Sequence, residues 1–340
     1  MIDKKVFVIA EAGVNHNGDI EIAKKLIEAA AKAKADAVKF QTFKAKKLAS
    51  ASAQKAAYQK ANTNTEGSQI EMLKMLELSQ EQHFELIEHC HKFGIAFLST
   101  GFDDESLEFL NTLKMPLFKV PSGELTNIPY LKKIAGFRKP VILSTGMANL
   151  GEIEQAVSIL EQEGLDREDM SILHCTTEYP TPFEDVNLNA MLTLKQAFAC
   201  TTGYSDHTLG IEVPVAAVAL GAKIIEKHFT LDRSMPGPDH KASLEPDELI
   251  HMVSAIRNIE LALGSSIKKP SNSELKNKEI ARKSLHWAGN LKAHTVIDNS
   301  HFCMLRPGNG IPAAGAEYFI GRTLAKDVSE YTQVNKDDFR

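Results

Sequence analysis

Two histidines, His207 and His228, stand in the segments Ser205-Asp-His207 and Glu226-Lys-His228, and each follows a short apolar run. Imidazole is a common ligand for divalent metals, and two such ligands leave positions for water and substrate oxygen, as a catalytic rather than a structural ion requires. The oxygens of neighbouring Asp206 and Glu226 favour Mn²⁺, Mg²⁺ or another divalent ion over a sulfur-rich zinc site. The competing reading is a pair of hydrogen-bonded rim imidazoles without an ion.

Other polar side chains recur where apolar runs end. Lys39 and Lys119 supply point charges, and Thr100, Ser122, Ser144 and Ser205 supply hydroxyl donors, a set suited to a phosphate and a carboxylate. Three carboxylates, Glu11, Glu124 and Asp239, are the acid–base candidates, and the sequence does not separate their roles. Gln41, Thr177 and Tyr179 can position a substrate. Arg306, in the turn Arg306-Pro-Gly-Asn-Gly-Ile-Pro312, can recognise a neutral acetamido carbonyl or remain exposed.

The elements that must carry these residues are eight short runs: Val6–Ala10, Ala37–Phe40, Ile95–Leu98, Leu117–Val120, Val141–Leu143, Ser171–Leu173, Thr202–Tyr204 and Lys223–Ile225. They are rich in Val, Ile, Leu and Phe without strict alternation, as parallel strands covered on both faces are. Helical patterns lie between them: Ile20–Ala35 behind a capping Asp19, Gln80–Lys92, Asp104–Leu113 and Glu152–Glu163. Repeated strand–helix alternation predicts a closed eight-stranded TIM-type barrel whose strand ends share one face. A doubly wound open sheet is the alternative, weakened because the first strand leads into Glu-Ala-Gly-Val-Asn-His-Asn-Gly rather than a dinucleotide turn.

The segment 44–68 reads as a partly helical excursion on the substrate-facing rim, with surface decoration as the alternative. Residues 1–263 form the predicted barrel, 264–283 a polar linker, and 284–340 a small unit that is marginal alone and needs a larger surface to lean on. A net charge of −5 gives the chain no general attraction for nucleic acid or anionic membrane, so any anionic substrate needs a local positive cluster. The absence of a signal-like N-terminus or a long apolar span points to the cytoplasm. Cys90, Cys175, Cys200 and Cys303 lack CxxC spacing and read as reduced thiols.

In order along the chain, Glu11-Ala-Gly-Val-Asn-His-Asn-Gly18, Lys39-Phe-Gln41, Lys119-Val-Pro-Ser-Gly-Glu124, His174-Cys-Thr-Thr-Glu-Tyr-Pro180, Tyr204-Ser-Asp-His-Thr208, Glu226-Lys-His-Phe229 and Gly237-Pro-Asp-His-Lys241 resemble the sialic acid synthase family. Gly101 and Thr177 depart from its pattern, where Pro and Asn are frequent. The resemblance implies a barrel with a C-terminal antifreeze-like (SAF) domain that condenses phosphoenolpyruvate with an open-chain N-acetylmannosamine-type sugar and releases phosphate. It assigns a divalent metal to His207 and His228, and phosphoenolpyruvate to Lys39, Thr100, Lys119, Ser122, Ser144 and Ser205. It also implies a domain-exchanged homodimer in which Arg306 reaches the other subunit's barrel. N-acetylneuraminate is the expected product, with N,N'-diacetyllegionaminate, from 2,4-diacetamido-2,4,6-trideoxymannose, as the alternative. A non-catalytic sugar-binding scaffold and a phosphosugar aldolase or isomerase are the readings from other classes.

Overall fold

The computed structural model describes residues 5–50, 53–55, 59, 60, 62 and 68–340, and the chain divides into two compact units, Met1–Gly264 and Ser265–Arg340. All eight expected strands form in the first unit: β1 (Phe7–Gly13), β2 (Ala37–Thr42), β3 (Ala96–Gly101), β4 (Phe118–Val120), β5 (Val141–Ser144), β6 (Met170–Cys175), β7 (Thr201–Asp206) and β8 (Ile224–His228). They pair in parallel in the order β3-β2-β1-β8-β7-β6-β5-β4, and the two ends of that ladder, β3 and β4, lie side by side. The closed barrel predicted from the alternation is the fold observed.

Helix α1 (Ile20–Lys32) begins where the Asp19 carboxylate accepts the backbone N–H of Glu21 and Ile22, so a capping side chain ends the loop after β1. Helix α2 (Ala45–Leu48) and helix α3 (Gln69–Leu76), the latter opened by a Ser68–Glu71 capping box, belong to the excursion after β2. The parts of that excursion at 51–52, 56–58, 61 and 63–67 lie outside the described residues. Further along, α4 (Gln80–Phe93), α5 (Asp104–Thr112) and α7 (Leu150–Gln162) match helical patterns in the sequence. Helices α6 (Ile128–Gly136), α8 (Asn189–Phe198), α9 (Glu212–Ala219) and α10 (Pro246–Leu263) are less legible. Pro129 and Pro214 read as breakers, and α9 is apolar almost all round, so it shows no one-sided stripe.

Inside the barrel, one apolar layer joins Ile9, Ala37, Leu98, Leu117, Ile142, Leu173 and Ile224, one residue from each of seven strands or their immediate ends. The eighth strand contributes Gly203 at this level. A Cβ there would overlap the Ile224 carbonyl oxygen and the Leu173 side chain, so the plug is already full. Gly203→Ala is therefore expected to destabilise the barrel by about 1–3 kcal/mol through overpacking. A lower denaturant midpoint with an unchanged slope would register it, and an unchanged midpoint would contradict it.

The second unit pairs β9 (Ser284–Trp287) with β10 (Phe302–Leu305) in antiparallel register. Its core gathers Leu285, Trp287, Ile297, Phe319, Leu324, Val334 and Phe339, and the Trp287 indole donates to Asp338. The expected linker 264–283 is not wholly extended: helix α11 (Asn272–Ala281) lies within it, capped by Ser271 and Glu274 and burying none of its residues. Its polar composition hides the helix because there is no apolar stripe to read, although the Ser-x-x-Glu cap is present.

Candidate active site

Strand periodicity builds the site directly above the apolar plug. Side chains two positions apart share a strand face, so the step from each plug residue leads to Glu11, Lys39, Thr100, Lys119, Ser144, Cys175, Ser205 and Glu226. All eight line one cavity of about 230 Å³. A further step brings Gln41, Thr177 (beyond β6), His207 and His228 to the walls of the same cavity, joined by Ser122, Tyr179 and Asp239.

The floor is a buried charge network. Lys39 Nζ lies 2.6 Å from Glu11 Oε2 and donates to Thr100 Oγ1 at 3.1 Å. Lys119 Nζ donates to Glu226 Oε1 at 2.9 Å, Ser205 Oγ donates to the same oxygen at 3.0 Å, and Lys39 lies 3.8 Å from Glu226 Oε2. All four charged side chains are at most 6 % exposed. Burial drives the Glu11 carboxyl up to about 7 against the pull of Lys39. At Glu226 burial acts in the same sense, but Lys119 and Lys39 together outweigh it and hold the carboxyl down to about 2. Two carboxyls on one floor are thus biased in opposite directions, Glu226 towards the anion by its lysines and Glu11 towards the protonated form by burial. The Ser144 hydroxyl is buried without a hydrogen-bond partner among the described residues, which leaves it available to an incoming anion.

The wall above β7 and β8 carries the imidazoles, with ring centroids 5.5 Å apart. His207 Nδ1 lies 2.6 Å from the Thr176 carbonyl oxygen, to which it donates in the neutral tautomer that leaves Nε2 a free lone pair. Tyr179 packs on this ring at a centroid distance of 4.1 Å and meets the His228 ring edge-on at 5.6 Å. Burial lowers His207 to about 4 and, with His207 and Lys39 nearby, pushes His228 well below the ordinary imidazole value. Neutral imidazole is the ligand form, and His228 Nδ1 is buried without a partner among the described residues. These features fit a divalent ion. No group of three or more His, Cys, Asp or Glu suited to a metal occurs among the described residues, so other ligands would be water or substrate.

Asp239 is 7 % exposed, and burial raises its carboxyl to about 6. A buried carboxyl is tolerated neutral, so its stabilising state is fully present below the unfolded value near 3.9 and is lost as pH rises through about 6. In metal-free protein, Asp239→Asn is expected to gain on the order of 2–3 kcal/mol over the parent between pH 4 and pH 8. Parallel stability–pH curves for the two proteins would contradict this.

Three first-unit residues singled out in the sequence, Glu124, Asp206 and His174, do not line this cavity. Glu124, in a single turn after β4, does not line the cavity; Asn127 Nδ2 donates to its carboxylate at 2.6 Å. Arg306 lies in the second unit, exposed, with Nε donating to the Ala281 carbonyl at 3.0 Å. Asp206 is no neighbour for an ion at the histidines, because odd and even strand positions face opposite ways. It is fully buried against Lys227 at 2.5 Å and accepts the Thr208 hydroxyl. His174 likewise bonds the Val186 carbonyl oxygen at 2.8 Å, away from the main cavity.

Two features escape sequence reasoning. Glu226 is the centre of the charge network as well as a neighbour of His228 in the cavity; its spacing of two from His228 is the signal that could have shown it. Met72, Leu73 and Leu76 of α3, with Val14 and Phe102, form an apolar side of the cavity. No strand rule places them there, because they come from the excursion.

A closed barrel with a buried network of two lysines and two carboxylates and a histidine wall at the carboxyl ends of its strands is that of a (β/α)₈ enzyme. Residues 26–268 match the NeuB family model. The chain is 55% identical over 327 residues to the N,N'-diacetyllegionaminic acid synthase of Campylobacter jejuni subsp. jejuni serotype O:2, covering 96% of this chain and 98% of that one. It is 48% identical to the N,N'-diacetyllegionaminic acid synthase of Legionella pneumophila subsp. pneumophila, covering 96% and 92%. The crystal structure of N-acetylneuraminic acid synthetase from Leptospira borgpetersenii serovar Hardjo-bovis in complex with citrate matches with a TM-score of 0.70 and 37% identity, covering 80% of this chain and 90% of that one. The chain belongs to the NeuB family of sialic acid synthases, as its motifs indicated. It is a phosphoenolpyruvate-dependent enzyme that forms a carbon–carbon bond. On the sugar, the relatives favour the legionaminate alternative over the neuraminate expectation.

Proposed function

We propose that the protein condenses phosphoenolpyruvate with 2,4-diacetamido-2,4,6-trideoxymannose to give N,N'-diacetyllegionaminate and inorganic phosphate. The observation that carries the condensation is the Lys39–Glu11 and Lys119–Glu226 floor beneath two neutral histidines. The choice of sugar is supported by the 55% and 48% identity to legionaminate synthases across nearly the whole chain.

Lys39, Lys119 and the hydroxyls of Thr100, Ser144 and Ser205 bind the carboxylate and phosphate of phosphoenolpyruvate, the positive charges being concentrated where water is excluded. Its alkene carbon attacks the sugar aldehyde, the new carbon–carbon bond forms, and the aldehyde oxygen takes up a proton. Water then adds at the cationic carbon, and cleavage of the bond to phosphate leaves the 2-keto acid. Glu11, whose carboxyl burial raises and which lies at the cavity floor, exchanges protons with the sugar oxygen or the incoming water. Asp239 serves the rim side of the same reaction, while Gln41, Thr177 and Tyr179 orient the sugar.

A divalent ion held by His207 and His228, Mn²⁺ being the first choice, supplies Lewis-acid polarisation of the aldehyde when bound. The Thr176 carbonyl and the Tyr179 ring fix the His207 plane for that purpose. The second unit acts as an antifreeze-like domain, exchanged between subunits of a homodimer so that Arg306 completes the partner's site. We place the enzyme in the cytoplasm; among the described residues no helix is long and apolar enough to cross a membrane.

The test is phosphate release with mass detection of product, using phosphoenolpyruvate and either the diacetamido sugar or N-acetylmannosamine, with Mn²⁺ and after chelation. The diacetamido sugar is expected to react with the higher kcat/KM and to require the metal. Preference for N-acetylmannosamine would overturn the sugar assignment, and no phosphate release with either would overturn the condensation.

A further inference from the structure

The cavity has two chemically different sides. Its floor and the β7–β8 wall are polar and charged, whereas Met72, Leu73 and Leu76 on α3, with Val14 and Phe102, present an apolar surface. These residues belong to one packed cluster with Phe43, Ala45 and Ala49, so the wall rests on a small core of its own. Met72, Leu73 and Leu76 are each at most 8 % exposed.

The seating of α3 is set by backbone shape. Gly18, after β1, has φ +79°, and a Cβ at that position would collide with the Met75 carbonyl oxygen. The loop and the last turn of α3 are in close approach, which only glycine permits, and the apolar face is thereby held to the cavity. Asn62 donates to the Pro238 carbonyl at 2.7 Å, next to Asp239, linking the excursion to the loop that carries the rim carboxylate.

The reacting carbonyl of an open-chain sugar must lie beside phosphoenolpyruvate at the charged floor and the histidines. The far end of the six-carbon chain must then extend towards the rest of the cavity lining, to which α3 contributes hydrocarbon. A methyl group satisfies such a surface, whereas a hydroxyl facing it loses its water partners without replacement.

We propose that the apolar face of α3, Met72, Leu73 and Leu76, is the element that selects a 6-deoxy, 4-acetamido sugar against its fully hydroxylated relative. It reads the terminal methyl and the acetamido methyl at the end remote from the reaction. This inference rests on the sugar assignment above and adds the residues that enforce it. Discrimination resides in a segment inserted after β2, separate from the strand-borne groups that perform the chemistry.

The test compares kcat/KM for 2,4-diacetamido-2,4,6-trideoxymannose and for N-acetylmannosamine on the same preparation of each variant, so that any loss of folded enzyme cancels in the ratio. Leu73→Asn and Leu76→Asn are expected to reduce the preference for the deoxy sugar by about tenfold or more, with Leu73→Ala giving a smaller change in the same direction. A parental preference for the deoxy sugar that survives all three substitutions within about twofold would overturn the role of α3 alone. A parent that prefers N-acetylmannosamine would overturn the sugar assignment and this inference together.

Discussion

Replacing Lys119 with Met is expected to lower kcat/KM for phosphoenolpyruvate by about 10²- to 10³-fold, the range typical of removing one preorganised donor from a water-excluded site. The side chain is buried and its ammonium donates to Glu226 at 2.9 Å, so in the ligand-free protein its charge is already in place and needs little reorganisation to receive an anion. The same substitution leaves Glu226 with Lys39 at 3.8 Å and the Ser205 hydroxyl, a poorer balance for a buried carboxylate. Breaking a buried pair in this way costs about 3–5 kcal/mol of stability. The double variant Lys119→Met, Glu226→Gln removes both charges and is expected to recover much of the lost stability without recovering activity. A thermodynamic cycle over the two sites, run in parallel with steady-state kinetics, separates the roles. A kinetic loss below about tenfold for Lys119→Met would remove this lysine from the anion site.

His228→Ala is expected to reduce metal-dependent turnover by at least about 10³-fold, the scale of losing a Lewis acid from a polar bond-forming step. Activity is one readout among two. A ligand that binds only the folded state raises its apparent stability in proportion to the logarithm of ligand concentration over the dissociation constant. Mn²⁺ is therefore expected to raise the melting temperature of the parent and to leave that of His228→Ala nearly unchanged. His228 has a buried nitrogen without a partner in the described structure, so an ion there satisfies a group that is otherwise costly to bury. An undiminished Mn²⁺ shift in the variant would show that the ion binds elsewhere.

The barrel was legible because its signal repeats. Runs such as Ala37–Phe40 and Val141–Leu143 are too short and too apolar for surface helices, and helical patterns recur between them. The floor was legible in part for a related reason: Lys39, Lys119, Ser144 and Ser205 interrupt or end apolar runs, where a charge or hydroxyl demands a reason. Glu124 follows a strand too, but it lies in a single turn off the cavity lining, where Asn127 donates to its carboxylate. Asp206 misled because adjacency in sequence brings a residue to the opposite face of a strand.

What the sequence determined by itself was the set of elements and the polar residues at their ends, because hydrophobic runs, caps and ligand-type side chains are local properties. Only the tertiary structure decided which of those residues share a cavity. In strands covered on both faces, composition does not distinguish inward from outward, so the choice between Asp206 and Ser205, or between Lys227 and Glu226, depends on barrel closure and register. The same closure gave Glu226 its central place between two lysines, and long-range packing brought α3 to the cavity from a segment whose sequence carries no strand signal.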